Sequence, residues 1–386
     1  MHSMKFDSKP SILHVYKDYY PPVLGGMEKC IHWICDQTRR DFHVRVLVAG
    51  RTRRFEDEVI NGVRVVRVPC YARKLSSPLS PGFLPWLKRL DSDILHFHMP
   101  NPVGELAYLL ARPKGKLVVT YHSDIVRQRL TGLLYSPLQH AFLRRASVIM
   151  PTSQRYLETS LTLRPHQERC RVVPLGVPLS DYAETDASSA YSEKIRALTP
   201  DKIRLIFVGV LRYYKGLAFL LEALRGLPEN VCLFLGGDGP ERDKLQYQAC
   251  QLGIADRVFF LGALDTQDEV VGLMRAGDIF CLPSHLRSEA FGLSQIEAMY
   301  CGLPVVGTNL ATGVPEVNKD GESGLIVEPA NSDAFRTALE TLITNPELRQ
   351  HLANGARHRA ETLYSAQRMG DDLKTVYQQV LAGLHG

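Results

Sequence analysis

The 386-residue sequence lacks the long apolar segments of a membrane protein or a secreted precursor. No stretch approaches the roughly 20 apolar residues that span a bilayer, and the N-terminus has no apolar core of a signal peptide. The eight cysteines form no CxxC pair and several lie in apolar runs, which indicates small buried thiols in a reducing compartment. We therefore expect a cytoplasmic protein, with a peripheral position on the inner face of the cytoplasmic membrane left open.

Two nucleotide-binding signatures and any strong charge are also missing. Neither GxGxxG nor GxxxxGK[ST] occurs, which argues against a dehydrogenase and a P-loop nucleotidase. The net charge of +5 suits an anionic ligand or an acidic membrane surface, but it falls short of a nucleic-acid footprint. No nucleic-acid partner is expected.

Short apolar runs alternate with helical patterns along most of the chain. Strands are predicted at 11–16, 43–49, 64–69, 93–98, 116–122 and 147–153, and a second series of six begins near residue 203. Strands buried on both faces and separated by helices predict parallel α/β sheets, and the length exceeds that of a single core. The predicted fold class is therefore α/β, with two doubly wound Rossmann-like domains facing a cleft at the carboxyl ends of both sheets.

The domain boundary is predicted near residues 176–200, in a polar stretch rich in Ser and Ala. This gives an N-terminal domain over 1–176 and a C-terminal domain over 177–364. The last helical stretch, about 365–386, is free to pack back on the first domain, although nothing in its composition requires this.

The segment "SEAFGLSQIEAM" (288–299) places Glu289 and Glu297 on either side of a Gly-Leu turn. A helical pattern begins at this turn, so the free N–H groups and the helix dipole near Gly292 favour phosphate. Carboxylates accept strong hydrogen bonds from hydroxyls, so a sugar on one side and a ribose on the other would fit. The alternative is a solvated helix start whose acids complement the dipole.

Two further strand-to-helix turns in the second half carry candidate phosphate ligands. In "FVGVLRYYKGLAFLLEAL" (207–224), Arg212 and Lys215 lie between a strand and a helix, where cations suit a pyrophosphate. The glycine-rich turn "LGGDGPERDKL" (235–245) contains Gly237 and by itself is weak support for a phosphate loop. Alone, the two cations would be exposed loop residues; combined with the first segment, they indicate a diphosphate site.

Taken together, these motifs resemble glycosyltransferase family 4. The pattern strand-Gly-x-Leu-x-x-x-Lys-Gly is followed by Gly-Asp-Gly-Pro-x4-Leu, and then by Glu-x7-Glu with Phe-Gly at its centre. The N-terminal "YYPPVLGGMEK", "HFHMP" and "YHSD" are similar to acceptor-domain motifs of that family, so the resemblance covers nearly the whole chain. It implies the two-domain glycosyltransferase B fold, retention of anomeric configuration, and no metal or other cofactor.

The resemblance, which extends to bacterial surface-polysaccharide mannosyltransferases, also implies the substrates. The donor would be a nucleotide-diphosphate sugar, with GDP-mannose or a related GDP-hexose expected. The acceptor would be a glycan or polyprenyl-linked acceptor, such as a growing lipid-linked bacterial glycan. Two rivals stay open: a sugar-nucleotide epimerase of similar shape, which would need no acceptor, and a non-catalytic nucleotide-sugar-binding subunit.

The family resemblance further implies roles for residues of the second half. Glu289 would contact hydroxyls of the donor sugar, Glu297 would contact the ribose, and Lys215 would neutralise the departing diphosphate. The family commonly has Arg directly after the glycine, whereas here Val210 stands there, so whether Arg212 replaces that arginine is open. The backbone expected to approach the pyrophosphate belongs to Phe291, Gly292 and Leu293.

In the first half, the candidates are two glycines and three histidines. Gly25 and Gly26 precede a helix, where missing side chains let backbone approach a ligand; a simple tight turn is the alternative. By resemblance, this loop closes over the donor diphosphate and the acceptor. His96 and His98 point to one face of a strand and His122 ends the next, which suggests core or cleft histidines rather than a zinc site. The resemblance makes His122 face the transferred sugar.

Two other segments of the first half invite functional interpretations. "DSD" (91–93) resembles a metal-binding acid pair, but it precedes a strand and is better explained as a surface turn at the end opposite the cleft. The stretch 126–147 mixes apolar residues with four arginines, so it is either an ordinary amphipathic helix pair or a docking surface for a lipid-linked acceptor on an anionic membrane.

Overall fold

The computed structural model describes residues 9–23, 25–74, 77–124 and 129–384. The chain divides into two compact units, one comprising Met1–Pro174 with Ala366–Gly386 and the other Leu175–Ser365. Across the described ranges, no helix is both long and apolar enough to cross a membrane. All eight cysteines are free thiols, and six of them are buried, as their apolar surroundings predicted.

The N-terminal unit is built on a seven-stranded sheet in the order β3-β4-β2-β1-β7-β8-β9. All six predicted strands are present, and the buried core is formed by their branched apolar side chains. The elements are β1 (Ser11–Val15), α1 (Gly26–Thr38), β2 (His43–Ala49), β3 (Glu56–Ile60), β4 (Val63–Val68), β5 (Ala72–Lys74), β6 (Ser77–Leu79), α2 (Phe83–Arg89), β7 (Ile94–Met99), α3 (Pro102–Ala111), β8 (Lys116–Tyr121), α4 (Arg129–Leu143), β9 (Val148–Pro151) and α5 (Gln154–Thr159).

The predicted parallel sheet of the N-terminal unit carries one antiparallel strand at its edge. Strand β3 runs antiparallel to β4. Asn61 and Gly62 connect the two strands with φ angles of 49° and 78°, the left-handed conformation of a two-residue hairpin turn. Strand β3 is acidic and largely exposed, so it shows none of the apolar pattern that marks a buried strand. A second small hairpin, β5 with β6, was likewise not predicted.

The C-terminal unit contains a six-stranded, fully parallel sheet in the order β12-β11-β10-β13-β14-β15. This is the doubly wound order 3-2-1-4-5-6, and all six predicted strands are present. Its elements are α6 (Asp186–Leu198), β10 (Ile203–Val208), α7 (Leu217–Arg225), β11 (Val231–Gly236), α8 (Arg242–Gln251), β12 (Val258–Gly262), α9 (Gln267–Ala276), β13 (Ile279–Leu282), α10 (Leu293–Tyr300), β14 (Val305–Thr308), α11 (Val314–Val317), β15 (Gly324–Val327), α12 (Ser332–Thr344) and α13 (Pro346–Leu363).

The polar stretch predicted to contain the boundary is in fact largely helical. Helix α6 begins after Thr185, whose hydroxyl accepts a hydrogen bond from Ser188 N while the Ser188 hydroxyl accepts one from Thr185 N. This reciprocal cap satisfies N–H groups that a helix start leaves unpaired. Helix α6 packs so closely on α9 that a Cβ on Gly272 would lie 2.5 Å from Ser188 O. Glycine at this position therefore permits the contact.

The last helix, α14 (Ala366–Leu381), belongs to the N-terminal unit although it follows the whole C-terminal unit in sequence. It packs on α1, where a Cβ on Gly370 would lie 2.6 Å from Gln37 Cβ. Lys374 pairs with Asp41 at 3.0 Å, and the buried Tyr377 hydroxyl lies 2.6 Å from His96 Nδ1. The N-terminal unit therefore consists of two segments of chain.

Candidate active site

Three strand-to-helix turns meet at the carboxyl ends of β10, β11 and β13. Gly237 has a φ of 132°, and a Cβ there would lie 2.1 Å from Gly209 O. Gly216 has a φ of 70°, and a Cβ there would lie 2.0 Å from Pro283 O. Side chains at these positions would prevent the turns from approaching. The glycines of the predicted motifs thus bring the β10 turn against both neighbouring turns.

A buried ion pair joins two of these turns. Lys215 Nζ lies 2.6 Å from Glu289 Oε2, and the two residues are only 9% and 7% exposed. Ser284 donates a hydrogen bond of 2.9 Å to the same carboxylate oxygen. Burial lowers the pKa of Lys215, but the charge and hydrogen bond of Glu289 outweigh it and leave that pKa raised. The contacts with Lys215 and Ser284 thus both use Oε2 of Glu289.

The helix start predicted to hold an anion is formed at Gly292. Gly292 is the N-cap of α10 with a φ of 74°, and Leu293 is the first helical residue. The Phe291 side chain is buried against Tyr364, with ring centroids 5.9 Å apart, so only its backbone could approach a ligand. The first N–H groups of a helix lack intrahelical acceptors and favour negative charge. The turn therefore places a polar backbone beside the ion pair.

Glu297 lies within α10 and is half-buried. Its neighbour is Tyr182, whose pKa is raised well above its ordinary value, first by burial and then by the charge and hydrogen bond of Glu297. Glu297 also contributes to the raised pKa of Lys215. The carboxylate thus belongs to the same charged cluster as Lys215, with a phenol as its protein partner.

The remaining second-half candidates occupy more open positions. Arg212 is exposed and immediately precedes the short 3-10 turn Tyr213–Lys215. Val210, which stands where the family commonly has arginine, is 45% exposed. The turn after β10 therefore carries two cations, Arg212, which is exposed, and Lys215, which is buried. The sequence did not indicate that Lys215 would be the buried one.

In the N-terminal unit, the predicted histidines are joined by a fourth. His98 Nδ1 lies 3.1 Å from His122 Nε2, and His98 Nε2 lies 3.0 Å from His14 Nδ1. His96 instead contacts Thr120 Oγ1 at 2.7 Å and the Tyr377 hydroxyl. Burial, and then the charge of Lys17, lowers the pKa of His122 to about 3, and burial alone lowers that of His14 to about 3.

The metal alternative for these histidines changes its members. His14, His96 and His98 have ligand atoms within 4.8 Å of one another, so His14 takes the place considered for His122. All three are buried and hydrogen-bonded to histidine, threonine or tyrosine. His14 was not predicted, because only the pairing of β1 with β7 brings it beside His96.

Gly25 and Gly26 lie at the start of α1, as predicted, but a protein carboxylate accounts for the first glycine. A Cβ on Gly25 would lie 2.0 Å from Glu28 Oε2, so the missing side chain makes room for Glu28. Gly25 is the N-cap of α1 and has an ordinary φ of −75°. Gly26 is exposed and begins the helix.

Of the acid pair and the arginine-rich stretch, Asp93 of the acid pair has a structural role. Asp93 accepts hydrogen bonds of 2.7 Å from both the backbone N–H and the hydroxyl of Ser11, and these bonds lower its pKa. From residue 129 onward, where the structure describes it, the arginine-rich stretch forms one helix, α4, rather than a pair. Arg144 and Arg145 are exposed just after it; Arg127 lies outside the described residues.

Comparison with known protein families identifies the chain. The family described as "Glycosyl transferases group 1" matches residues 191–359, and "Glycosyl transferase 4-like domain" matches residues 25–176. The chain is 34% identical to D-rhamnosyltransferase WbpZ of Pseudomonas aeruginosa over 363 residues, covering 92% of each chain. It is 32% identical to O-antigen chain mannosyltransferase C of Escherichia coli over 374 residues, covering 96% of this chain and 98% of that protein.

Solved structures show the same fold at lower identity. Sucrose-phosphate synthase of Thermosynechococcus elongatus superposes with a TM-score of 0.81 at 20% identity, covering 97% of this chain and 100% of its own. WaaG, a glycosyltransferase involved in lipopolysaccharide biosynthesis, superposes with a TM-score of 0.70 at 22% identity, covering 95% and 99%. These similarities confirm the predicted fold class of two Rossmann-like halves. The chain therefore belongs to the glycosyl transferases group 1 family and is a glycosyltransferase of the glycosyltransferase B fold.

Proposed function

We propose that the protein is a retaining hexosyltransferase that transfers mannose from GDP-mannose to a growing bacterial surface polysaccharide. Two relatives above 30% identity support this proposal, since their names specify O-antigen chain mannosyltransferase and D-rhamnosyltransferase activities. D-rhamnose is D-mannose without the 6-hydroxyl group. Both names therefore point to donors with the ring configuration of mannose.

The single observation that carries a donor role is the buried Lys215–Glu289 pair beside the N-terminus of α10. A nucleoside diphosphate brings concentrated negative charge, which Lys215 and the free N–H groups near Gly292 would balance. Oε1 of Glu289 would accept a hydrogen bond from a sugar hydroxyl. Glu297 would accept one from the ribose, and exposed Arg212 would approach the diphosphate.

In the proposed reaction, the bond between C1 of the sugar and the diphosphate oxygen breaks as the acceptor hydroxyl bonds to C1 on the same face. The hydroxyl proton leaves with the nucleoside diphosphate. Lys215 would stabilise the charge that develops on the leaving group. Because protein cations and N–H groups can balance this negative charge, we propose that transfer needs no divalent metal. Turnover that persists in excess chelator is the expected result; its loss, with recovery on adding manganese, would contradict this part of the proposal.

D-rhamnose transfer is the second candidate, and it is favoured by the 34% identity to WbpZ. The two candidates differ in whether the site binds the 6-hydroxyl. A site that hydrogen-bonds a hydroxyl rejects the deoxy analogue by about 10⁴–10⁵-fold, whereas an apolar pocket discriminates only about 10²-fold. The ratio of kcat/KM values for GDP-mannose and GDP-D-rhamnose therefore separates the candidates.

The experiment compares thermal unfolding and product formation with GDP-mannose, GDP-D-rhamnose and UDP-glucose. A donor at a hundredfold excess over its Kd should stabilise the protein by about 2.7 kcal/mol. Release of GDP with sugar retained in an acceptor, or slow hydrolysis without one, supports a transferase. An epimerised sugar nucleotide would favour the epimerase, and binding without any turnover would favour the non-catalytic subunit.

We also propose a peripheral position at an anionic membrane, since a lipid-linked acceptor would lie there. The exposed Arg144 and Arg145 after α4 motivate this part of the proposal. Charge reversal at both positions should reduce sedimentation with anionic vesicles at low salt, because screening weakens such contacts. Absence of wild-type binding to these vesicles would remove the idea.

A further inference from the structure

A row of three buried histidines crosses the N-terminal sheet and ends at His122. The row consists of His14, His98 and His122, linked by ring nitrogen contacts of 3.0 and 3.1 Å. All three are at most 1% exposed, and adjacent rings are stacked with centroids 5.3 and 5.4 Å apart. Among the described residues, the outer nitrogens, His14 Nε2 and His122 Nδ1, have no partner.

The contacts in this row limit the tautomers that its members can adopt. A neutral imidazole has one N–H donor and one acceptor nitrogen. His98 uses both nitrogens, so it donates to one neighbour and accepts from the other. If His98 donates to His122 Nε2, then His122 carries its proton on Nδ1. His98 then accepts from His14 Nδ1, so His14 Nε2 is unprotonated. If the row runs the other way, both assignments reverse.

We propose that this histidine row sets the tautomer and ring orientation of His122, so that His98 and His14 are positioning residues for a sugar hydroxyl of the substrate that binds at His122 Nδ1. The proposal rests on the proposed function, in which the substrates are sugars. A sugar hydroxyl can donate or accept, and a fixed tautomer decides which it does at Nδ1. The hydroxyl would pair a buried nitrogen that otherwise lacks a hydrogen-bond partner.

A neighbouring hydrogen-bonded set provides a matched control. Thr120, His96 and Tyr377 form an equally buried group whose hydrogen bonds do not reach His122. Tyr377→Phe removes one buried hydrogen bond from that group while leaving the histidine row intact. A merely structural role for the buried polar groups predicts that disturbing either set has the same consequences.

Two substitutions of His98 separate its two contacts. The amide nitrogen of Asn takes the place of ring Nδ1, and that of Gln takes the place of Nε2. His98→Asn therefore keeps a partner for His122 and loses the link to His14, whereas His98→Gln loses the partner of His122. At His14, the contact uses Nδ1, so His14→Asn keeps the link to His98 and His14→Gln removes it.

The experiment records long-range ¹H–¹⁵N spectra of protein labelled at histidine ring nitrogens, with His122→Ala to assign the His122 signals. We expect a single His122 tautomer in wild type and in Tyr377→Phe, a retained Nε2 hydrogen bond in His98→Asn, and mixed tautomers in His98→Gln. Turnover of the sugar nucleotide should fall at least about tenfold in His98→Gln and less in His98→Asn. In the His122→Ala background, His98→Gln should cause no further loss.

Several results would overturn the proposal. Identical His122 spectra in all variants would show that the row does not set the tautomer, and so would a metal ion bound by His14, His96 and His98 in the purified protein. Unchanged turnover in His98→Gln with mixed tautomers would remove the positioning role. If no sugar nucleotide is turned over by wild type, the proposed function fails, while the spectra still decide whether the row controls His122.

Discussion

At the residue scale, Glu289 and Glu297 have different partners, so their isosteric substitutions should fail differently. Glu289→Gln should lower turnover most, because contacts near the reacting ring strengthen in the transition state. Its affinity for GDP should persist, since Lys215 loses its carboxylate partner and the diphosphate can replace it. Glu297→Gln should weaken donor and GDP binding by about 1–3 kcal/mol. Calorimetric titration of GDP beside steady-state turnover measures both effects.

The control for this pair is Glu322→Gln. Glu322 pairs with Arg359 at 2.8 Å on the surface of the same unit, so its loss should change neither GDP affinity nor turnover. If Glu289→Gln turns over normally, Glu289 is only the structural partner of Lys215, and the site assigned to the α10 turn is wrong.

At the element scale, helix α10 has a left-handed glycine at each end, and only one of them is in the candidate site. Gly292 and Gly302 have φ angles of 74° and 87°. Alanine at either position should cost about 1–2 kcal/mol through backbone strain. Gly292→Ala should also lower GDP affinity, because its Cβ would lie 2.9 Å from Leu282 Cδ2 and displace the turn, whereas Gly302→Ala meets nothing within 4 Å. Equal GDP affinity in both variants would contradict an anion-binding turn.

The elements themselves were largely predictable, because the twelve predicted strands carry apolar runs. Strand β3 was missed because its acidic residues face solvent, and only the Asn61–Gly62 turn marks it. The candidate site was predictable as a set of turns, since glycine and charge are local signals. The Lys215–Glu289 pair and the contact of His14 with His98 were not, because they depend on which strands become neighbours.

At the scale of the whole molecule, the buried histidines make the N-terminal unit sensitive to acid. Burial is the main cause that lowers the pKa values of His14, His96, His98 and His122. The stability that goes with neutral histidines is complete above about pH 6.5 and falls below that pH, because the unfolded chain then binds protons that the folded unit does not. For His14 and His122, whose pKa values are lowered to about 3, the loss is roughly 1 kcal/mol each per pH unit. Glu105 has the opposite effect on stability, since burial raises its pKa to about 7. Between about pH 7 and 4.5 the folded unit therefore binds one proton there that the unfolded chain does not. Denaturant unfolding at pH 7.5 and 5.5 should show the loss; equal free energies would contradict it.

Helix α14 also dictates an order of events during synthesis. The N-terminal half emerges first from the ribosome, yet its last element is made only after the entire unit Leu175–Ser365. The unit made second can therefore finish folding first. Until α14 has been made, α1 lacks the helix that packs on it and His96 lacks its contact with the Tyr377 hydroxyl. A chain ending at Ser365 should still bind GDP but should lose the cooperative unfolding of its N-terminal unit, and supplying residues 366–386 as a separate peptide should restore it. Nascent chains would thus complete the proposed donor-binding unit before the unit that precedes it in the sequence.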